Sequence, residues 1–98
     1  MTHEANDEIR HEDDPIRGSF FIERGGKRVA ELTYSMSGNA AIVSHTWVEP
    51  RLRGGPLAAS LVKAAVEWAR EGNRKIVPAC SYVRSVFART PDYSDVRG

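Results

Sequence analysis

Val48-Glu49-Pro50-Arg51-Leu52-Arg53-Gly54-Gly55-Pro56-Leu57-Ala58 is the stretch on which the reading of this chain turns. Downstream of it, Leu57, Ala58, Leu61, Val62, Ala65, Trp68 and Ala69 recur at intervals of three and four, with Ser60, Lys63, Glu67 and Arg70 on the opposite side, the pattern of an amphipathic helix. Pro50 closes the extended region before it, and Pro56 fits only the first helical turn. Gly72 is the expected stop, giving a helix of about 16 residues. A strand therefore hands over to a helix through a basic, glycine-containing turn. Helix N-terminal amides, the macrodipole and close backbone approach at glycine all favour a phosphate there. Arg51 and Arg53 add charge-assisted donors. A plain glycine-rich turn with solvated arginines fits equally well, and the residues alone leave the two readings level. A Walker loop is excluded because no Gly-Lys-Ser/Thr follows, and the dinucleotide fingerprint because its G-x-G-x-x-G spacing is missing.

Upstream, residues 17–48 read as a three-stranded antiparallel meander. Phe20, Phe21 and Ile22 mark the first strand, and Gly25 and Gly26 supply the positive φ of a tight hairpin. Ala30, Leu32, Tyr34 and Met36 alternate with Val29, Glu31, Thr33 and Ser35, and Ser37, Gly38 and Asn39 turn the chain again. Residues 40–48 are apolar at both parities, as expected of a strand covered on both sides. After the helix, residues 75–77 form a short strand closed by Pro78. A second helix follows from Ser81 to about Arg89, with Val83, Val86 and Phe87 inward, and Thr90 and Pro91 break it; Tyr93 and Val96 are placed to dock on the surface. The order is βββ-α-β-α, an α/β (α+β) fold with a mixed sheet: an antiparallel meander, one parallel strand, and helices packed on it. Residues 1–15 lack periodicity and read as a flexible acidic arm with His3 and His11 solvated, leaving residues 16–98 as the single domain.

Composition bounds the rest. The chain has 98 residues, enough for one core, and its 41% hydrophobic and 28% charged content is that of a globular protein. The first 15 residues carry six acids against Arg10, whereas the remaining 83 carry 13 bases against seven acids. That basic body attracts anions but is too weakly charged to imply nucleic acid. No apolar run is long enough to span a bilayer and no basic-then-apolar leader opens the chain. One cysteine excludes an internal disulfide and fits a reducing cytoplasm, and the three histidines and Cys80 have no metal-ligand spacing.

Residues 48–58 resemble the acetyl-coenzyme A site of the GNAT N-acetyltransferases, whose signature is Gln/Arg-x-x-Gly-x-Gly/Ala. Aligned on Arg53, the chain matches at Arg53 and Ala58 and departs at Pro56, where the superfamily places glycine. Pro78-Ala79-Cys80-Ser81-Tyr82-Val83, Thr90-Pro91-Asp92-Tyr93 and His45-Thr46 are similar to the small single-domain, YidJ-type branch of N-acetyltransferase-like proteins. The resemblance covers roughly residues 17–97 and implies an acetyl-coenzyme A-dependent N-acetyltransferase acting on an amine. It implies that the backbone of Val48, Arg53, Gly54, Gly55, Pro56, Leu57 and Ala58, with the Arg51 and Arg53 side chains, holds the cofactor. It also implies that the strand at residues 40–48 splays from that at residues 75–77, with the thioester between His45 and Cys80 and an oxyanion-stabilising N–H near Val48. Pro56 removes one N–H worth about 1.5–3 kcal/mol to a charged group, so weaker cofactor binding is expected rather than its loss.

Each chemical candidate has a structural counterpart. Cys80, at a helix N-terminus, is either an acetyl-accepting nucleophile or a small buried hydrophobe. His45 is a general base or a half-buried structural imidazole, and Glu49 a second base or a solvated acid. Tyr82 protonates the leaving thiolate or simply packs, Arg84 reaches phosphates or faces solvent, and Trp47 and Trp68 belong to the core. Gly25 and Gly26 leave no room for the helices that build the acceptor pocket in larger family members. Three outcomes are therefore open: a protein or peptide end as acceptor, a partner copy in a homo-oligomer completing the site, or a coenzyme A-binding sensor or accessory module without catalysis.

Overall fold

The computed structural model describes residues 8–98, so His3 lies outside the described residues. The elements are β1 (Ile9–Asp13), β2 (Arg17–Arg24), β3 (Lys27–Ser37), β4 (Ala40–Val48), α1 (Leu57–Glu71), β5 (Lys75–Pro78) and α2 (Ser81–Arg89). Short 3-10 segments occupy Pro50–Leu52 and Pro91–Val96. One sheet runs β1-β2-β3-β4-β5, antiparallel except for the parallel β4–β5 pair. Gly25 and Gly26, at φ of 60° and 76°, form the two-residue β2–β3 loop, a conformation that costs a glycine little.

α1 buries Leu57, Leu61, Val62, Ala65, Val66 and Ala69 against Ile22, Leu32, Val43 and Ile76 of the sheet, and α2 adds Val83, Val86 and Phe87 to the same cluster. The C-terminal segment docks as expected: Val96 is buried, Tyr93 tilts on Phe87, and the Gly98 N–H donates to the Ile76 carbonyl at 2.8 Å.

Two expectations need correction. Residues 9–13 are not a flexible arm but an edge strand pairing Ile9 with Ile22 and His11 with Phe20. Asp14 sets the turn after it, its Oδ1 accepting from the Ile16 and Arg17 N–H groups at 2.9 Å each. His11 is not solvated: its ring stacks on Phe20 at 4.0 Å and 7°, and its Nε2 meets the Tyr34 hydroxyl at 2.6 Å. The second correction concerns β4, which is not covered on both sides. Only Ala41 and Val43 are buried, on the helix side, and Trp47 is half-buried on the far side rather than in the core. Among the described residues no helix packs on that far face of the sheet, and its apolar Phe21 is covered by the Arg28 guanidinium, 3.7 Å above the ring.

Candidate active site

β4 changes character halfway along. Tyr34 pairs with Val43 but Thr33 pairs with His45, so Ser44 is an extra residue that bulges from the strand. The insertion inverts the alternation. Thr46 and Val48 oppose the fully buried Leu32 and Ala30 on the helix side, whereas His45 and Trp47 oppose Thr33 and Glu31 on the uncovered side. At the same point β5 leaves. Its pairing ends at Val43–Pro78, where the Val43 carbonyl accepts both the Ala79 and the Cys80 N–H, at 3.0 and 2.9 Å. Beyond it, among the described residues, no strand pairs with residues 44–48 on the β5 side.

A cleft of about 440 Å³ opens from this gap. Thr46, Trp47 and Val48 line it from β4, Arg53, Gly54 and Gly55 from the turn, Ala58 and Ala59 from α1, and Tyr82 and Arg89 from α2. Gly54 has φ of 86°, a conformation that excludes most side chains. Pro56 is the N-cap of α1, its carbonyl taken by the Ser60 N–H and hydroxyl at 3.0 and 2.9 Å. Among the described residues no side chain caps the helix, and no acid stands in its first turn. Among the described residues, no protein acceptor meets the N–H groups of Gly54, Gly55, Leu57, Ala58 or Ala59. Four of these donors, those of Gly54, Gly55, Ala58 and Ala59, belong to residues that line the cleft at the positive end of the helix dipole, and can hold an anion of pyrophosphate size. Pro56 therefore removes one donor from a set that remains intact around it.

The arginines separate. Arg53 lines the cleft and folds back, its Nε donating to the Val48 carbonyl at 2.8 Å. Arg51 pairs with the Glu49 carboxylate and is not among the lining residues. Leu57 offers backbone only, since its side chain is buried beneath α1. Arg84 is turned to the Ala79 carbonyl at 3.2 Å.

Cys80, the N-cap of α2, sits beside the cleft with its Sγ 3.4 Å from the Thr46 hydroxyl. Burial pushes the thiol up, but the Thr46 hydroxyl together with the backbone N–H groups of Val83, Tyr82 and Thr46 outweighs it and brings the pKa below the ordinary thiol value. His45 is on the other face, half exposed, with Nε2 3.5 Å from Glu31 Oε2. The structure thus gathers Val48, Arg53, Gly54, Gly55, Ala58 and Tyr82 around one cleft, sets Cys80 at its inner end, and places His45 across the strand. Sequence reasoning missed Thr46, Glu31 and Arg89. Arg89 was legible, lying seven residues, or two helical turns, after Tyr82; the contacts of Thr46 and Glu31 depend on the bulge.

A family model described as GCN5-related N-acetyl-transferase matches residues 19–96. The chain is also similar to a GCN5-like candidate N-acetyltransferase from Staphylococcus aureus, with 32% identity over 97% of this chain and 91% of that one and a TM-score of 0.75. A ribosomal-protein-alanine N-acetyltransferase from Brucella melitensis shares the fold at 18% identity, a TM-score of 0.65, and coverage of 79% of this chain and 62% of that one. So does an aminoglycoside N-acetyltransferase in complex with CoA, at 17% identity, a TM-score of 0.54, and coverage of 67% and 55%. No curated protein matches the chain. By the extent of the family match, the chain belongs to the GCN5-related N-acetyl-transferase family.

Proposed function

We propose that this protein is a minimal N-acetyltransferase of the small single-domain, YidJ-type branch that carries acetyl from acetyl-coenzyme A to an amine in the reducing cytoplasm. The observation that carries this reading is the meeting, in one cleft, of a β4 edge on which no strand pairs and four backbone donors of the turn and α1, those of Gly54, Gly55, Ala58 and Ala59, all unengaged among the described residues. The backbone N–H groups of Gly54, Gly55, Ala58 and Ala59 and the Arg53 guanidinium bind the pyrophosphate, and Arg89 adds a second cation from α2. The edge of residues 46–48, with which no strand of the described residues pairs on the β5 side, orders the pantetheine arm, which places the thioester in the gap between β4 and β5 and gains rate by positioning. A β4 backbone N–H in the gap, near Val48, stabilises the oxyanion.

In the direct route His45 accepts a proton from the amine, the C–N bond forms as the C–S bond breaks, and the Tyr82 hydroxyl returns a proton to the departing thiolate. In the two-step route the Cys80 thiolate takes the acetyl group first and the amine attacks the resulting thioester. The lowered thiol pKa and the Thr46 contact support the second. A non-catalytic coenzyme A-binding module is the rival, favoured by one observation: the two-residue β2–β3 loop leaves the acceptor side uncovered.

Titration calorimetry with coenzyme A and acetyl-coenzyme A, combined with thiol release against amines, peptides and polyamines, tests all three. Binding and release are expected, with Gly54→Val weakening binding at least about tenfold because φ there is positive. Absence of heat refutes the site; heat without thiol release favours the binding module. Acetyl on Cys80 in a digest, with turnover lost in Cys80→Ala, selects the two-step route.

A further inference from the structure

We propose that Glu31 is a positioning residue that fixes the His45 imidazole on the uncovered face of the sheet, so that the acceptor amine enters from the side opposite the coenzyme A cleft; this rests on the acetyltransferase reading above. His45 and Glu31 are neighbours only because Ser44 bulges, which turns His45 away from Cys80 and onto the face of Thr33 and Glu31. Glu31 Oε2 lies 3.5 Å from His45 Nε2, and Glu31 Oε1 accepts from Arg28 Nη1 at 3.3 Å. Arg28 is itself held from three directions: its guanidinium stacks 3.7 Å above the Phe21 ring, Nη1 reaches Ser19 Oγ at 3.4 Å, and Nη2 reaches Glu12 Oε1 at 2.7 Å. A surface carboxylate normally samples many rotamers; this one is braced by a planar cation that a buried ring supports. With Nε2 turned to Glu31, the Nδ1 of the imidazole is left to take the proton of the incoming amine.

Space for an acceptor lies on that same side. A hollow of about 610 Å³ reaches from Ser19 and Thr33 to Ser44, next to His45. Pairing between β4 and β5 stops at Val43, and the cleft beyond it is lined both by Thr46 of the helix side and by Trp47 of the uncovered side. The acetyl group can therefore be delivered from the cleft and collected from the uncovered face. In the transfer the amine gives one proton to His45, the C–N bond forms and the C–S bond breaks; Glu31 neither gains nor loses a proton.

The test uses the full chain, acetyl-coenzyme A and whichever amine gives the fastest thiol release. Glu31→Gln is expected to lower kcat ten- to a hundredfold with KM for acetyl-coenzyme A unchanged, Glu31→Asp to recover part of it, and Glu31→Gln to cost nothing further in a His45→Gln background. Wild-type kcat in Glu31→Gln, or an equal fall in both backgrounds, overturns the proposal. A second readout needs no turnover: the order parameter of the His45 ring by NMR relaxation should fall in Glu31→Ala towards that of a free side chain. An unchanged order parameter overturns the positioning role. Loss of thiol release in the unmodified chain, by contrast, overturns the acetyltransferase reading and with it the route for the amine.

Discussion

On the helix side of β3, Ala30, Leu32 and Tyr34 are all but sealed under α1; between them, the same strand turns Glu31 and Thr33 to a face that no helix covers among the described residues. The covered side is apolar and continuous across β2, β3, β4 and both helices. The other side holds one buried ring, Phe21, under one guanidinium, with Glu12, Glu31 and Ser19 gathered round it. Placing almost all of the apolar burial on one side lets a domain of this size stay folded while its other face remains polar and accessible. On the proposed function, stability and acceptor chemistry would fall on opposite sides of one sheet, with the proposed coenzyme A cleft at the edge where they meet.

Truncations should differ sharply between the two. Leu61 is fully buried in α1, and Leu61→Ala removes apolar contacts and leaves a cavity, for an expected loss of about 2–5 kcal/mol in urea unfolding. Arg28→Ala deletes more atoms, yet its side chain is a third exposed and its ion pairs are solvent-screened. A loss of about 1–2 kcal/mol is expected, chiefly from uncovering Phe21. Equal losses in the two variants would show that the charged face carries fold stability as the apolar one does.

β1 is the element held from both sides, and Gly18 tests that double grip. A methyl at Gly18 would come 2.3 Å from the Tyr34 hydroxyl and 2.7 Å from the Glu12 carbonyl, so either the ring or the edge strand has to move. Gly18→Ala is expected to cost about 1–3 kcal/mol as an overpacking change. Faster amide exchange in residues 9–13 and not in α1 would locate the damage in the strand; uniform exchange would place it in the core.

Most of this fold was legible and its site only in part, for physical reasons. Alternation in β3 and the three- and four-residue spacing of α1 are local signals, and both elements are where those signals place them. β1 was not legible because Ile9 is its one apolar residue; it pairs because His11 finds Phe20 and Tyr34, partners nine and 23 residues away. The turn at residues 53–58 was readable from its glycines and proline. The faces of His45 and Thr46 were not, since the Ser44 bulge is a property of strand register, which depends on β3 rather than on β4 alone. Likewise nothing local says that Arg51 turns to Glu49 while Arg53 turns to the cleft.

The smallest predicted effect is on pH, and it falls on the covered side of β1. Burial chiefly lowers the His11 pKa, with the Arg74 charge adding to it and Asp13 opposing it. The folded chain therefore binds a proton at His11 less readily than the unfolded chain, in which the imidazole titrates near 6.5. The unfolded state thus holds more protons as the pH falls through that value, so stability rises with pH in this window. The contribution is fully present above the unfolded value and is lost as the pH falls below it. The geometry agrees: neutral His11 can accept the Tyr34 hydroxyl proton at Nε2, and the protonated ring cannot. Burial raises the Tyr34 hydroxyl itself to about 12, so it stays a donor throughout. Urea midpoints between pH 7.5 and pH 5 should therefore fall more steeply in the wild type than in His11→Gln, which keeps a polar side chain but does not titrate. His45 and the carboxylates are common to both proteins and cancel in the difference. Parallel curves would mean that His11 does not hold the edge strand, which would then rest on its backbone pairing, on Ile9 and on the Glu12–Arg28 pair of the other face.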